Sequence, residues 1–308
     1  MKSKSKKKII SVANIIEEAR YGGPQVRIVS ISHAISDKVE TTVILPRENS
    51  SRFCRELEAS QIPYKQFFLS RISRKPLMLL RYLFFLPIEL INLTLYFRRK
   101  NFDLIHVSGG SWQFKGVFAG KLAGAKVIWH LNDTYSPKII RVLFYFMSNF
   151  SDSFIYVSIR SKEYYGLLTS NNIPDCIIPA PVDTAKFNPC FNYSIDEFFT
   201  NSWKGKIVIG MVANISPVKS IETFIKALHI INKESTNIHF VIIGAHYKSQ
   251  RKYLAVLKKM TENILENNME FIDSVSDVRP FLKRFDIYVC SSNFESSPIS
   301  VWEAMSME

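Results

Sequence analysis

The chain has 308 residues, 47% of them apolar, which is enough to bury sizeable cores and favours two domains. Its net charge of +13 is unevenly placed: residues 1–186 carry 27 Lys and Arg against 14 Asp and Glu, whereas residues 187–308 carry 13 of each. Cys54, Cys176, Cys190 and Cys290 have no Cys-x-x-Cys spacing and no partnered His, so neither a zinc module nor a disulfide framework is indicated and a reducing cytosol fits. The basic start MKSKSKKK leads into a short apolar run that ends at Glu17 and Glu18 without a small-residue cleavage site. It reads as a solvated lysine tail before a strand, not as a signal peptide.

Residues 9–13 are predicted as the first strand, and ARYGGPQ at 19–25 as the loop after it. In that loop Gly22 and Gly23 allow close backbone approach, and Pro24 suits the opening of a helix. Strand and helix then alternate, with strands at 39–45, 62–69, 103–107, 126–131 and 153–157 and helices at 51–59 and 111–123. This order predicts an α/β fold, a parallel sheet covered on both faces. No Gly-x-Gly-x-x-Gly follows the first strand, which disfavours a nicotinamide or flavin dehydrogenase. His130 ends a predicted strand, the edge at which parallel-sheet enzymes place ligands, although a lone His is also commonly structural. Asn132 and Asp133 follow it in the loop.

The stretch 76–97 has the length and apolarity of a membrane span, but Arg81, Glu89, Asn92 and a mid-run Pro87 count against one. Two readings stay open for it: a kinked helix packed on the sheet, and a helix lying in a membrane interface. Arg71, Arg74, Lys75, Arg81, Arg98, Arg99 and Lys100 flank or interrupt it, and each basic group near an anionic leaflet contributes about 1 kcal/mol.

A linker is expected at 188–205, between a first domain at 1–187 and a second at 206–308. The second domain is predicted to run as a strand at 207–212, the loop ANISPVKS, a strand at 240–244, a helix at 248–265, a strand at 269–272 and a helix at 278–284. A final apolar run at 286–290 leads through Ser291–Ser297 turn material into a helix, with Pro298 at its first position and Ser297 available as its cap. Glu295 then lies in the loop and Glu303 within the helix.

Glu295 and Glu303, with seven residues between them and Ala304-Met305 after, resemble the Glu-x7-Glu motif of family 4 retaining glycosyltransferases of the two-domain GT-B type. The resemblance implies two doubly wound Rossmann-like domains facing a cleft. It also implies that Glu295 and the amides of Ser296 and Ser297 hold a donor sugar and that Glu303 takes the ribose hydroxyls, a task suited to a carboxylate that accepts from two hydroxyls at once. IIPAPVDTAKF is similar to the family's Asn-Gly-Val-Asp-x-x-x-Phe element at Val182, Asp183 and Phe187, with Ala180-Pro181 replacing Asn-Gly. ANISPVKS resembles Gly-Arg-Leu-x-x-x-Lys, whose Arg and Lys bind the donor diphosphate; Lys219 matches, while Asn214 stands where Arg is usual. The missing charge-assisted contact costs about 1.5–3 kcal/mol unless a group such as Lys248 compensates.

The Gly22-Gly23 loop is implied to face the donor phosphates and the acceptor, and His130 the reacting sugar. The activity implied is front-face transfer from a nucleotide sugar to a lipid-linked or glycan acceptor, with no metal required, at the inner face of the plasma membrane, whose anionic surface the basic first half is expected to meet. The chain stops at Glu308, where the family continues, so a second domain that is C-terminally incomplete is expected. A hydrolysing epimerase of the same fold and a non-catalytic member are the alternatives. A nucleic-acid binder is disfavoured, because the lysines and aromatics follow strand-helix periodicity and form no recognised module.

Overall fold

A computed structural model describes residues 9–72, 76–169, 172–193, 201–234, 237–245, 250–262 and 268–307. The lysine tail, Arg74, Lys75, Lys248, part of the expected linker and Glu308 lie outside the described residues. The chain divides into two compact units, Met1–Pro181 and Val182–Glu308.

In the first unit the strands are β1 (Ile10–Ile15), β2 (Val39–Pro46), β3 (Tyr64–Phe67), β4 (Leu104–Gly109), β5 (Lys126–Leu131), β6 (Ser153–Tyr156) and β7 (Asp175–Ile177). They form one parallel sheet in the order β3-β2-β1-β4-β5-β6-β7. The helices are α1 (Gly23–Ala34), α2 (Ser51–Ala59), α3 (Pro76–Lys100), α4 (Phe114–Leu122), α5 (Lys138–Ser148) and α6 (Ile159–Gly166). Right-handed crossovers place helices that link strands toward β3 on one face and those that link strands toward β7 on the other. Two separate cores result. Ile28, Phe53 and Leu57 of α1 and α2 pack on one face; Leu93 and Phe97 of α3, Val117 of α4 and Phe144 of α5 pack on the other. Gly116 lets α4 sit close to the sheet, since a Cβ there would lie 2.6 Å from the Ile15 side chain.

The second unit holds a four-stranded parallel sheet, with β8 (Ile207–Val212), β9 (Ile238–Ile243), β10 (Met269–Ile272) and β11 (Ile287–Tyr288) in the order β10-β9-β8-β11. Its helices are α7 (Ile221–Glu234), α8 (Arg251–Glu262), α9 (Arg279–Arg284) and α10 (Ile299–Met305). The sheet is buried on both sides, by Phe224, Ile225 and Leu257 on one face and by Trp203 and Phe281 on the other.

One local device recurs in both units. An Asp just before a strand donates its own N–H to the neighbouring strand and accepts an amide near that strand's start with its carboxylate. Asp103 does this with Ser11 at 2.9 and 3.0 Å, Asp152 with Val127 at 2.8 and 2.9 Å, and Asp286 with Val208 at 2.9 and 2.7 Å. The carboxylate closes the end of the ladder where an amide would otherwise go unpaired, which fixes register.

The sequence expectations differ from the structure in a few places. The apolar stretch is a continuous helix through Pro87 and extends to Lys100. Burial of Tyr82 before the proline and of Glu89, Leu93 and Phe97 after it outweighs the interior proline's cost of about 3 kcal/mol, and Arg98, Arg99 and Lys100 complement the helix C-terminus. The last strand is only Ile287–Tyr288, and the last helix begins at Ile299. Pro298 occupies the cap position with φ −74° and ψ 105°, and no side chain caps the helix. Ser297 is otherwise engaged, its Oγ accepting from Trp302 Nε1 at 3.1 Å. Helices α5, α6 and α7 come in addition to the elements expected from sequence.

Where β9 ends, Gly244 passes against the loop after β8. A Cβ at Gly244 would overlap the Ala213 carbonyl, while the two segments are stitched by Ala213 N to Ile243 O at 2.9 Å and Ile215 N to Ala245 O at 3.0 Å. Gly244→Ala is therefore expected to push the 213–215 loop off the sheet and to destabilise the protein by about 1–3 kcal/mol in denaturant unfolding.

Candidate functional site

In doubly wound sheets ligands bind beyond the carboxyl ends of strands, where the strand order reverses. Those points are β1/β4 in the first unit and β8/β11 in the second. The candidate residues lie at these two edges.

At the second edge, β8 leads into a loop and a single 3₁₀ turn, Pro217–Lys219. The turn ends at Ser220, whose φ of 47° is left-handed and strained for a residue with a side chain. The hydroxyl of Ser291, beyond β11, donates to the carbonyls of Lys219 at 3.0 Å and Ser220 at 2.9 Å, and Asn293 N donates to Val218 O at 2.9 Å. These bonds lace the two loops together and bring Lys219 Nζ into an ion pair with Glu295 Oε1. Both side chains remain about a quarter exposed, at 27% and 25%, so the pair is open to exchange with a ligand. Ser296 and Ser297 follow in the same loop, half-buried, and Asn214 is exposed in the loop after β8.

Glu303 sits on α10 and is largely withdrawn from water. Burial pushes its carboxyl up to about 7, with Lys186 the weaker opposing influence. Around it Tyr288 OH donates to Val212 O at 3.2 Å and Ser306 Oγ to Phe187 O at 2.7 Å, so its neighbours are bonded to main chain and leave the carboxylate unpaired by them. A half-buried acid lacking a close counter-charge is a candidate for hydroxyl recognition.

At the first edge, Gly22 caps α1 in extended backbone with φ −166°, and a Cβ there would meet nothing closer than 3.7 Å. Neither conformation nor internal packing requires glycine at that position. Gly23 is the first, exposed residue of α1.

His130 is the penultimate residue of β5 but is only 2% exposed, and both of its ring nitrogens are taken. Arg27 Nη1 donates to His130 Nε2 at 2.7 Å, and His130 Nδ1 faces His106 Nε2 at 3.1 Å, the rings stacked at 5.3 Å. A guanidinium only donates, so His130 carries its proton on Nδ1 and passes a bond to His106 Nε2. His106 then carries its proton on Nδ1, which lies 3.4 Å from the Asn14 amide; the consistent arrangement turns the otherwise unpartnered Asn14 Oδ1 toward it. Burial together with the Arg27 charge holds both rings neutral, with His106 pulled down to about 3 and His130 well below its usual range.

Arg27 is the residue that sequence reasoning missed. It lies on α1, is 4% exposed, and bonds only neutral groups: His130, Asn132 Oδ1 and, at 3.4 Å, Ser108 Oγ. With no carboxylate bonded to it among the described residues, burial brings its pKa down to about 9. The one available signal was a basic residue between Val26 and Ile28 on a helix that opens at a Gly-Gly loop. Asp133, just past His130, accepts from Tyr165 OH at 2.8 Å through Oδ1, while Oδ2 is buried without a partner; burial raises it to about 7.

The structure thus brings Lys219 and Glu295 into contact, within one unit that also holds Asn214, Ser296, Ser297 and Glu303; Gly22, Gly23 and His130 belong to the other. Among the described residues no group of three His, Cys, Asp or Glu side chains is arranged to hold a metal ion.

Two doubly wound units, each with polar groups gathered at the carboxyl edge of a parallel sheet, have the two-domain architecture of the GT-B class. Solved structures of that class share the fold: Anabaena HepE in complex with UDP and glucose superposes with a TM-score of 0.79 at 17% identity, over 97% of this chain and 78% of that one. The chain belongs to glycosyltransferase family 4: the model described as Glycosyltransferase Family 4 matches residues 21–186, and Glycosyl transferases group 1 matches 194–308. Among curated relatives, it is 24% identical over 295 residues to the N,N'-diacetylbacillosaminyl-diphospho-undecaprenol alpha-1,3-N-acetylgalactosaminyltransferase of Campylobacter jejuni, covering 89% of this chain and 73% of that protein. It is 23% identical over 232 residues to the UDP-Gal:alpha-D-GlcNAc-diphosphoundecaprenol alpha-1,3-galactosyltransferase of Escherichia coli, covering 71% of this chain and 59% of that protein.

The raised carboxyl of Glu303 carries a pH signature. The folded protein holds this proton more tightly than the unfolded chain, so its contribution to stability is full below about 4.5 and is lost as pH rises through about 7. Glu303→Gln removes that loss. Thermal unfolding is expected to show the variant more stable than the parent at pH 8 and matched to it at pH 5.

Proposed function

We propose that this glycosyltransferase moves a sugar from a nucleotide-diphosphate donor to a lipid-linked acceptor, with retention of anomeric configuration, in the assembly of a surface polysaccharide. The observation that carries the reading is the Lys219–Glu295 pair laced into one loop cluster of the same unit that holds the unpaired Glu303. In this reading Glu303 accepts the ribose hydroxyls. Glu295 and the amides of Ser296 and Ser297 hold the donor sugar. Lys219 exchanges Glu295 for the diphosphate, and its charge meets the negative charge that grows on the leaving group, the kind of electrostatic stabilisation that usually contributes most to rate.

Gly22 and Gly23 leave room for a phosphate to approach the amides at the start of α1, favoured by the helix dipole. Arg27, buried among neutral groups, adds positive potential at that edge. His130 acts from within the Arg27–His130–His106 chain; direct contact with a sugar requires its bond from Arg27 to be exchanged. No metal is required for these steps. Because both curated relatives named above carry diphospho-undecaprenol acceptors in their names, a polyprenyl-diphosphate acceptor is the first choice here. The basic first half then places the protein at the anionic inner face of the plasma membrane.

The decisive assay supplies UDP-, GDP- and ADP-sugars with a polyprenyl-diphosphate-linked acceptor and follows label into lipid. Transfer with retained configuration from one donor is expected. Sugar epimerised or released without acceptor would instead support an epimerase-like enzyme, and no binding of any nucleoside diphosphate by calorimetry would sink the reading. Glu303→Gln is expected to lower kcat/KM for the donor about ten- to a hundredfold, mainly through KM. Lys219→Ala is expected to reduce kcat about a hundredfold or more.

A further inference from the structure

The two helical layers of the first unit differ in what they show to water. Helices α1 and α2 expose no large apolar side chain, whereas on the other face α3 exposes Leu77, Leu80 and Phe84 and α5 exposes Ile139, Val142 and Phe146, each more than half accessible at 57–79%. These two helices flank α4 and share its core, so their bare sides belong to one layer. Exposed apolar area on this scale marks a contact surface.

The inner side of α3 is fixed by a buried ion cluster. Lys115 of α4, fully buried, pairs with Glu89 of α3 at 2.6 Å, lies 3.8 Å from Glu17 after β1, and stands over the Tyr82 ring at 4.3 Å; Ser70 N donates to Glu89 Oε1 at 2.8 Å. With Tyr82, Glu89, Leu93 and Phe97 turned inward, α3 is anchored from Tyr82 onward while residues 76–81 stay exposed, and its length and mean hydropathy of 1.6 reach the range of a span. The remaining sides face outward.

Charge decides what those sides fit. Glu89 is the single acid in α3, and it is buried; residues 138–150 contain Lys138 and Arg141 and no acid. Arg98, Arg99 and Lys100 close α3. The outer surface therefore combines apolar and cationic groups without an accessible carboxylate of its own, and among the described residues Glu48, paired with Arg81, is the acidic neighbour that bonds to it. A second copy of the same surface would set like charges against each other. An anionic leaflet accepts both components, the apolar side chains below the headgroups and the cations among them.

We propose that α3 and α5 together form a lipid-docking face that inserts apolar side chains from both helices into an anionic phospholipid surface. This rests on the membrane-facing reading above and adds α5 as an inserting element. It also moves the source of affinity from charge alone to charge plus insertion.

The test is co-sedimentation of the full chain with vesicles of phosphatidylglycerol and phosphatidylcholine, comparing the parent with Ile139→Ser/Val142→Ser/Phe146→Ser and with Leu80→Ser/Phe84→Ser. Each variant is expected to partition at least tenfold more weakly while keeping its thermal unfolding temperature and its affinity for nucleoside diphosphate. A Phe146→Trp variant is expected to gain blue-shifted emission on vesicles, quenched by brominated acyl chains. If the parent does not bind vesicles, the membrane reading and this proposal fail together. If the parent binds but the α5 variant binds as well, or the emission of the Phe146→Trp variant does not change, docking through α5 is overturned while the membrane reading stands. A parent dimer that the α5 substitutions convert to monomer, with vesicle binding unchanged, would assign the face to a second copy and also overturn the proposal.

Discussion

A charge removed from water must be compensated, and the way each buried charge in this protein meets that requirement separates its scaffold from its site. Lys115 is fully buried and meets two carboxylates, a hydroxyl and an aromatic face. That cluster supplies the lysine with counter-charge from within the protein, although burial still pushes the Glu17 carboxyl up to about 7. Removing one partner would leave a bare charge in the core, so it ties α3, α4 and the segment after β1 to one another and sets which side of α3 faces in.

Arg27, Glu303 and the Lys219–Glu295 pair are not complete in this way. Among the described residues Arg27 bonds His130, Asn132 and Ser108 and meets no counter-charge, and two histidines that would normally titrate near neutrality are kept uncharged beside it. Glu303 is desolvated, with the influence of Lys186 too weak to offset the cost. Lys219 and Glu295 satisfy each other, but in a partly exposed pair that a phosphate and a sugar hydroxyl can replace at little net cost. Each is the kind of group that a ligand carrying phosphates and hydroxyls would complete.

The same requirement accounts for the unusual surface of α3. Its buried acid is spent internally on Lys115, so Arg81 and Asn92 are the polar side chains left on its outer side before the cations at its C-terminal end. An ordinary core helix would turn such a face inward. Here the sheet below is already covered, and the surplus apolar area shared with α5 stays outside.

Much of the fold follows from the chain's local pattern. Short β-branched runs and the turn residues between them are signals a few residues long, and they place β2, α2, β5, β8 and β10 almost to the residue. The pair of glutamates flanking the last loop could be read the same way, because their spacing is itself local. Helix α5 could not be read to its full extent: Lys138, Arg141 and Ser148 recur at helical spacing, but apolar side chains lie on its buried and exposed sides alike, so only packing distinguishes Phe144 from Phe146. Nor could sequence join Lys219 to Glu295, or Arg27 to His130, which are 76 and 103 positions apart. Sequence determined which residue types stand where chemistry is possible. Tertiary structure decided which of their charges are satisfied, because desolvation depends on what surrounds a group in space and not on its neighbours along the chain.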